Sequence, residues 1–403
     1  MANRAAMTFV VLTVLLDSIG IGLIFPVMPE LIESVTGGGL SNAALWGGVL
    51  TASFAVMQFA FGPVIGNLSD RFGRRPVMLL ALGVMAADYL VMAVAGTIWL
   101  LLAGRVVAGL AAATQTTAAA YVADISPPER RGRNFGLIGA ALGLGFILGP
   151  ALGGLFASFG TRAPFWIAAA MAAANLAFGA LVLPETLRTP RAFSWRRANP
   201  LGAFRAAARL PGLSRLMVVF LIAQIANFVY PAVWAYWGAA RFDWDAQMIG
   251  LSLAFYGAGF MAVQALLVGP AIRLMGERRT ATLGLVIDVV SAFFFAFVWN
   301  GNAALAFVLV SALGGIAAPA LQAIASHAAP DDAQGELQGL LASLSAITMI
   351  VAPLISTTVF AAFTGPKAPI FAPGAPFLVS ALLLVAAVAL HVAPAPCARR
   401  TTS

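Results

Sequence analysis

Long apolar runs alternate with short polar or Gly/Pro breaks from one end of the chain to the other. The runs 8–28, 45–65, 77–95, 98–121, 135–159 and 165–183 precede a polar stretch at 184–212. The runs 216–237, 249–272, 281–299, 304–325, 337–363 and 377–392 follow it. Each is close to the roughly 20 residues a helix needs to cross hydrocarbon, and in lipid only helices satisfy their own backbone over such runs. The pattern predicts an all-α polytopic membrane protein with twelve transmembrane helices. The polar stretch near the midpoint divides them into a six-helix bundle at 1–186, a basic cytoplasmic linker at 187–213 and a second six-helix bundle at 214–403. Within the linker, Trp195-Arg196-Arg197 and 201–210 read either as a basic amphipathic helix lying on the membrane or as a disordered connection.

Composition agrees. Hydrophobic residues make up 61% of the 403 and charged residues 9%, against about 25% charged in soluble domains. The net charge of +8 reflects topology rather than nucleic acid, because the basic residues sit between the apolar runs. With the N-terminus inside, 19 of the 23 fall in inner segments, three (Arg162, Arg241, Lys367) in outer ones, and Arg105 within a span. That imbalance places both termini in the cytoplasm. The lone Cys397 offers no internal disulfide, and His327 and His391 form no metal-ligand cluster. The first run contains Asp17 and continues without a small-residue cleavage site, so no cleavable signal is expected. No nucleophile elbow or phosphate-binding loop is present, which argues against an enzyme.

Four ionisable residues lie inside apolar runs: Asp17, Asp88, Arg105 and Asp288. Each costs roughly 2.5–3.5 kcal/mol at a helix centre, so each is a functional candidate. At about 1.5 Å per residue, Asp88 and Arg105 lie at similar depths in adjacent antiparallel spans. They are expected to approach each other, either in a structural or tuning role or as part of the proton-coupling set with Asp17 and Asp288. Asp17 and Asp288 have no evident cationic partner and fall near mid-span, one in each half. Low dielectric disfavours a charged carboxylate, so each suits exchange of a proton for a cationic substrate. A faint repeat relates the halves. Gly62-Pro63 and Gly73-Arg74-Arg75 recur as Gly269-Pro270 and Gly276-Glu277-Arg278-Arg279, and Asp88 is matched by Asp288. The second copy has no counterpart of Asp70.

Polar side chains on otherwise apolar spans line a cavity or bind helix to helix: Gln58, Thr114, Gln115, Thr116, Thr117, Gln224, Asn227, Gln264 and Gln322. Phe228, Tyr230, Trp234, Tyr236 and Trp237 read as an interfacial belt or as a surface for a flat substrate. The glycines of the fifth span permit close helix approach, and Pro150 can kink it.

The stretch Gly66-Asn67-Leu68-Ser69-Asp70-Arg71-Phe72-Gly73-Arg74-Arg75-Pro76 reads as a short hinge between two spans. Its Gly-x-x-x-Asp-Arg-x-Gly-Arg-Arg pattern resembles the loop between helices 2 and 3 of the major facilitator superfamily. Gly145-x-x-x-Gly149-Pro150-x-x-Gly153-Gly154 is similar to the motif of its drug/proton antiporters. With 16–24, Asp88-Tyr89, Arg241-Phe242-x-Trp244, Gly314-Gly315 and 337–340, the chain resembles the bacterial tetracycline efflux proteins over nearly its whole length. The resemblance implies the superfamily's fold and a proton-coupled antiporter in the bacterial inner membrane. It implies that Asp17, Asp88 and Asp288 match essential carboxylates, and that Asp70, Arg71, Gly73 and Arg74 belong to the cytoplasmic gate. The exported species would be a tetracycline chelated to magnesium. No resident cofactor is implied. The expected partners are a small drug, protons and lipid, not nucleic acid, with the chain acting as a monomer. Three departures alter the cavity wall: Phe260 replaces a common histidine, Phe228 a glutamine, and Ala111-Ala112-Ala113-Thr114-Gln115-Thr116-Thr117 a glycine-rich start of span 4. Export of a metabolite or siderophore by the same fold is the alternative.

Overall fold

The structure is a computed structural model that describes residues 2–112, 114–187, 192–194, 213–330 and 333–393, without the side chains of 2–5, 114–116 and 128. Gln115, the stretch 201–210 and Cys397 therefore lie outside the described residues or side chains. Apolar runs become helices wherever no residue forces the backbone out of the α region. The first half comprises α1 (Ala2–Ile24), α2 (Met28–Thr36), α3 (Leu40–Phe72), α4 (Arg74–Val94), α5 (Ile98–Ala111), α6 (Thr114–Ile125), α7 (Arg131–Ala157) and α8 (Ala163–Val182). The second comprises α9 (Ser214–Asn227), α10 (Val229–Phe242), α11 (Ala246–Leu266), α12 (Val268–Met275), α13 (Glu277–Phe297), α14 (Gly301–Ala312), α15 (Ala317–Ala328), α16 (Gln334–Thr364) and α17 (Ala375–Val392). Among the described residues eleven helical stretches are long and apolar enough to cross a membrane. The broken pair α5–α6 supplies the twelfth crossing of the expected fold.

Two expectations are corrected. The stretch 66–76 is not a hinge throughout: α3 continues to Phe72, and the chain turns at Gly73 alone, whose φ of 112° is open to glycine. Polar Ser69 and Asp70 do not interrupt a helix whose backbone bonds are intact. The first run, expected to reach Met28, ends as a helix at Ile24, and Met28–Thr36 forms a separate short helix started by Pro29 and ended at left-handed Gly37.

Four of the described crossings are broken. The seventh breaks at Phe228, between α9 and α10. The eighth breaks at Leu267, between α11 and α12. The fourth breaks at Ala112, after α5, and the tenth through a 3₁₀ turn, Leu313–Ile316. The last two breaks lie at equivalent places in the two halves, as do Asp88 and Asp288.

Packing differs between the two ends of the molecule. At the end where α1 begins and α17 finishes, which among the described residues carries most of the arginines, the halves have separate cores. One is built on Phe9, Val10, Met78 and Tyr121, and the other on Phe220, Leu285, Leu321 and Leu384. At the opposite end a single core joins them through Leu31, Leu50, Trp237, Phe295 and Phe360. The halves also meet where α3 packs along α16 and α7 along α11. Gly47 sits against Tyr236, and Gly48 against Thr357. The halves are thus joined at one end and part toward the arginine-rich end.

The aromatics of α10 do not form an interfacial belt. Trp234, Tyr236 and Trp237 are buried, and Trp234 and Trp237 pack on Phe295 and Phe377. Among the described residues the exposed tryptophans are instead Trp99, Trp166 and Trp299, close to helix ends, where an indole suits the membrane interface.

Candidate functional site

The fifth crossing, α7, positions the first carboxylate. Gly145, Gly149 and Gly153 recur every fourth residue, so they share one face. That face lies directly on α1: Gly145 against Ser18, Gly149 against Gly22, and Gly153 against the Leu23 carbonyl. The Pro150 ring also packs on Gly22 of α1, while its carbonyl and Gly154 face α11, where they meet Gly250 and Ala246. The motif therefore clamps α7 between α1 of its own half and α11 of the other. Asp17 precedes Ser18 in this contact. It is 6% exposed, and its Oδ1 has no hydrogen-bond partner among the described residues. Tyr89, also buried, places its hydroxyl against Gly20 one turn along α1.

The second carboxylate, Asp288 on α13, is 8% exposed. Asn227, the last residue of α9, donates to it at 2.9 Å. Gly314, in the 3₁₀ turn of the tenth crossing, packs against the carboxylate, and Gly284 one turn away packs on Ala317. Two broken crossings therefore converge on one acid. Asn227, expected along a cavity wall, spends its amide on Asp288.

Asp88 and Arg105 form an ion pair. Asp88 is 5% exposed, and the guanidinium also lies over the Phe54 ring, 5.4 Å from its centroid. A buried guanidinium paired with a carboxylate and an aromatic face neutralises a charge that would otherwise stand alone in lipid.

Three of the remaining polar candidates reach a neighbouring helix or segment, whereas the buried Thr117 hydroxyl has no hydrogen-bond partner among the described residues. Gln58 donates to the Ala112 carbonyl at the break of the fourth crossing (3.4 Å), Gln224 to Ser345 (3.0 Å) and Gln264 to the Gly315 carbonyl (3.3 Å). Phe228 sits at the break of the seventh crossing, and Gln322 is exposed on α15. Phe260 stacks on Tyr256 at 6.0 Å and covers Gly315.

At the arginine-rich end, Arg74 joins Asp70 (2.5 Å) and Asp124 (3.3 Å). Arg71 lies over Phe72. Glu185, beyond α8, accepts the backbone N–H groups of Arg74 (2.9 Å) and Arg75 (3.1 Å), the first two of α4. Asp124 and Glu185 were not singled out from the sequence. The only signal was their position, as carboxylates at the arginine-rich ends of apolar runs.

Comparison with known proteins bears on this arrangement. The Major Facilitator Superfamily model matches residues 10–239 and 216–402. The class C tetracycline resistance protein of Escherichia coli is 42% identical over 363 residues, 90% of this chain and 91% of the relative. The crystal structure of the human organic anion transporter MFSD10 has a TM-score of 0.70 at 26% identity, covering 96% of this chain and 99% of that one. A bacterial homolog of the human lysosomal transporter Spinster has a TM-score of 0.80 at 17% identity, covering 97% and 96%, a likeness of fold alone. With its glycine-clamped fifth crossing, its membrane carboxylates and this match across nine-tenths of its length, the chain belongs to the tetracycline resistance protein family of the major facilitator superfamily, and is a multi-pass membrane transporter rather than an enzyme.

Proposed function

We propose that this chain exports a tetracycline, carried as a magnesium chelate, or a related cationic amphipathic drug, in exchange for protons across a bacterial inner membrane. One observation carries the reading: each half buries one membrane carboxylate, Asp17 or Asp288, with no basic side chain bound to it among the described residues. In a relative of the tetracycline resistance proteins, such acids suit alternate occupancy by a proton and a cation.

The arginine imbalance supports both termini being cytoplasmic. Separate cores at that end support a cytoplasmic opening in this conformation. From there the drug enters between the halves, past Gln58, Gln115, Gln224, Phe228, Phe260 and Gln322. A proton from outside neutralises Asp17 or Asp288 and releases the cation outward, and the protonated carrier returns. Asp88 and Arg105 hold the third and fourth crossings in register beside Asp17, and Asp70, Arg71, Gly73 and Arg74 reset the cytoplasmic gate. A tenfold proton gradient supplies about 1.36 kcal/mol per proton, one decade of drug concentration. The membrane potential adds about 2.3 kcal/mol per net charge per 100 mV. The chain acts as a monomer in lipid.

The test is proton release from purified protein in detergent on adding tetracycline with magnesium, beside ethidium as a metal-free cation. Release with tetracycline, abolished in Asp17→Asn and in Asp288→Asn while the proteins stay folded, is the expected result. Release with ethidium alone moves the substrate to other cationic drugs. Silence with both rejects drug antiport in favour of metabolite or siderophore export.

A further inference from the structure

The second half carries its own copy of the hinge, and its charges are arranged differently. Gly276, like Gly73, has a positive φ (79°) and separates two helices, α12 and α13. Three residues before the hinge glycine the first copy has Asp70 and the second Arg273. In the first copy, carboxylates from three places in the chain, Asp70, Asp124 and Glu185, engage Arg74 and the start of α4. In the second, the Glu277 carboxylate at the start of α13 pairs with His327 at 3.0 Å. Arg273 donates only to the Gly269 carbonyl of its own turn and Arg278 to the His391 carbonyl, both at 3.4 Å. Arg279 has no hydrogen bond or ion pair among the described residues. The sequence from 337 to 403 holds no Asp or Glu, so α17 has no side chain to play the part of Glu185.

These arginines stand over an apolar face. A groove of about 1440 Å³ opens between α12, α13 and α15, with Arg278 and Arg279 at its mouth and Leu283, Val286 and Ile324 along its wall. Arg279, Leu283, Val286, Val290, Phe293 and Phe297 follow one another at intervals of three or four, so they share one face of α13. The apolar members are exposed. In a membrane-spanning helix that face meets acyl chains. The groove therefore combines a rim on which Arg278 and Arg279 stand beside the Glu277–His327 pair with a hydrocarbon-facing wall beneath it.

We propose that this groove binds an anionic phospholipid of the adjoining leaflet, with its phosphate between Arg278 and Arg279 and one acyl chain along Leu283, Val286 and Ile324. Basic pockets between transmembrane helices favour such headgroups. The lipid phosphate supplies the anion that Glu185 provides in the first half, and the acyl chain fills the wall that a free phosphate would leave bare. The two hinges are then braced by different means, one by protein carboxylates and one by the membrane.

The test uses the full chain in detergent, with native mass spectrometry of retained dioleoylphosphatidylglycerol beside dioleoylphosphatidylcholine. The expected result is one tightly held phosphatidylglycerol. Its affinity falls about thirtyfold in Arg278→Gln/Arg279→Gln, at roughly a factor of five per arginine. Arg130→Gln/Arg133→Gln, which removes two charges from the same end, leaves it unchanged. Val286→Trp, which narrows the groove without altering charge, also releases the lipid and decides the matter if the arginine variant does not fold. Equal retention of phosphatidylcholine, equal loss in the control variant, persistence in Val286→Trp, or displacement by millimolar inorganic phosphate would each overturn the proposal.

Discussion

The amide of Asn227 donates to the carboxylate of Asp288 at 2.9 Å, joining the point where the seventh crossing breaks to the buried acid of the ninth. A hydrogen bond to a charged group contributes about 1.5–3 kcal/mol. Whatever changes the occupancy of Asp288 therefore also acts on the α9–α10 break, a place where the backbone can bend at small cost.

Removing that donor tests the link. Asn227→Ala is expected to slow drug uptake into inverted membrane vesicles about tenfold while the protein still folds. Combined with Asp288→Asn, its effect on thermal unfolding in detergent should be strongly non-additive, with a coupling of about 1 kcal/mol or more, as for residues in direct contact. Additive losses would mean that the two side chains act separately.

Gly314 makes a second demand on the same acid. A methyl group there lands on the Asp288 carboxylate, whereas one at Gly315 meets only the Phe260 ring. Gly314→Ala is expected to abolish export. Gly315→Ala, whose neighbour is a side chain able to give way, should keep a substantial part of it. Vesicle transport rates measured at matched protein levels distinguish them.

The twelve crossings were legible because hydrophobic length alone announces a membrane helix. So was the fifth-span motif, whose glycines at every fourth residue imply a close neighbour. The identity of that neighbour was not. That Gly149 faces Gly22 and Pro150 faces Gly250 depends on how each helix is rotated about its axis, which a uniformly apolar run does not record. The same limit hid Glu185 behind Arg74, separated by 111 residues, and Asn227 behind Asp288, separated by 61. The hinge was placed too broadly because charge marks the membrane surface, while only the positive φ of Gly73 marks the turn.

The glycine clamp is open to a graded test. A methyl group at Gly149 would sit 2.7 Å from Gly22 Cα and from the Ile19 carbonyl, both backbone atoms. At Gly139 or Gly136 it meets nothing within 4 Å. Gly149→Ala is therefore expected to cost about 1–3 kcal/mol, as overpacking does, visible as a lower midpoint of thermal unfolding in detergent. Gly139→Ala should be neutral or slightly stabilising, since alanine is the better helix former. Equal effects at both positions would show that the fifth crossing does not lie on α1 as described.

Glu185 offers the last test, because its two roles separate by substitution. Its carboxylate accepts the first two N–H groups of α4, at Arg74 and Arg75, and places negative charge where the helix dipole favours it, an effect of about 0.3–1 kcal/mol at an exposed site. Glu185→Gln retains one acceptor oxygen and loses the charge, and Glu185→Ala loses both. Backbone amide exchange at Arg74 and Arg75 is therefore expected to accelerate slightly in the first and about fivefold or more in the second. Raising salt should narrow but not erase the difference between wild type and Glu185→Gln, since screening removes the charge term while one of the two N–H groups has lost its acceptor oxygen. Gly73→Ala attacks the same contact from the other side: it combines an unfavourable φ of 112° with a methyl group directed at Glu185. It should raise exchange at both amides and lower transport, while Gly66→Ala, with open space around it, should do neither.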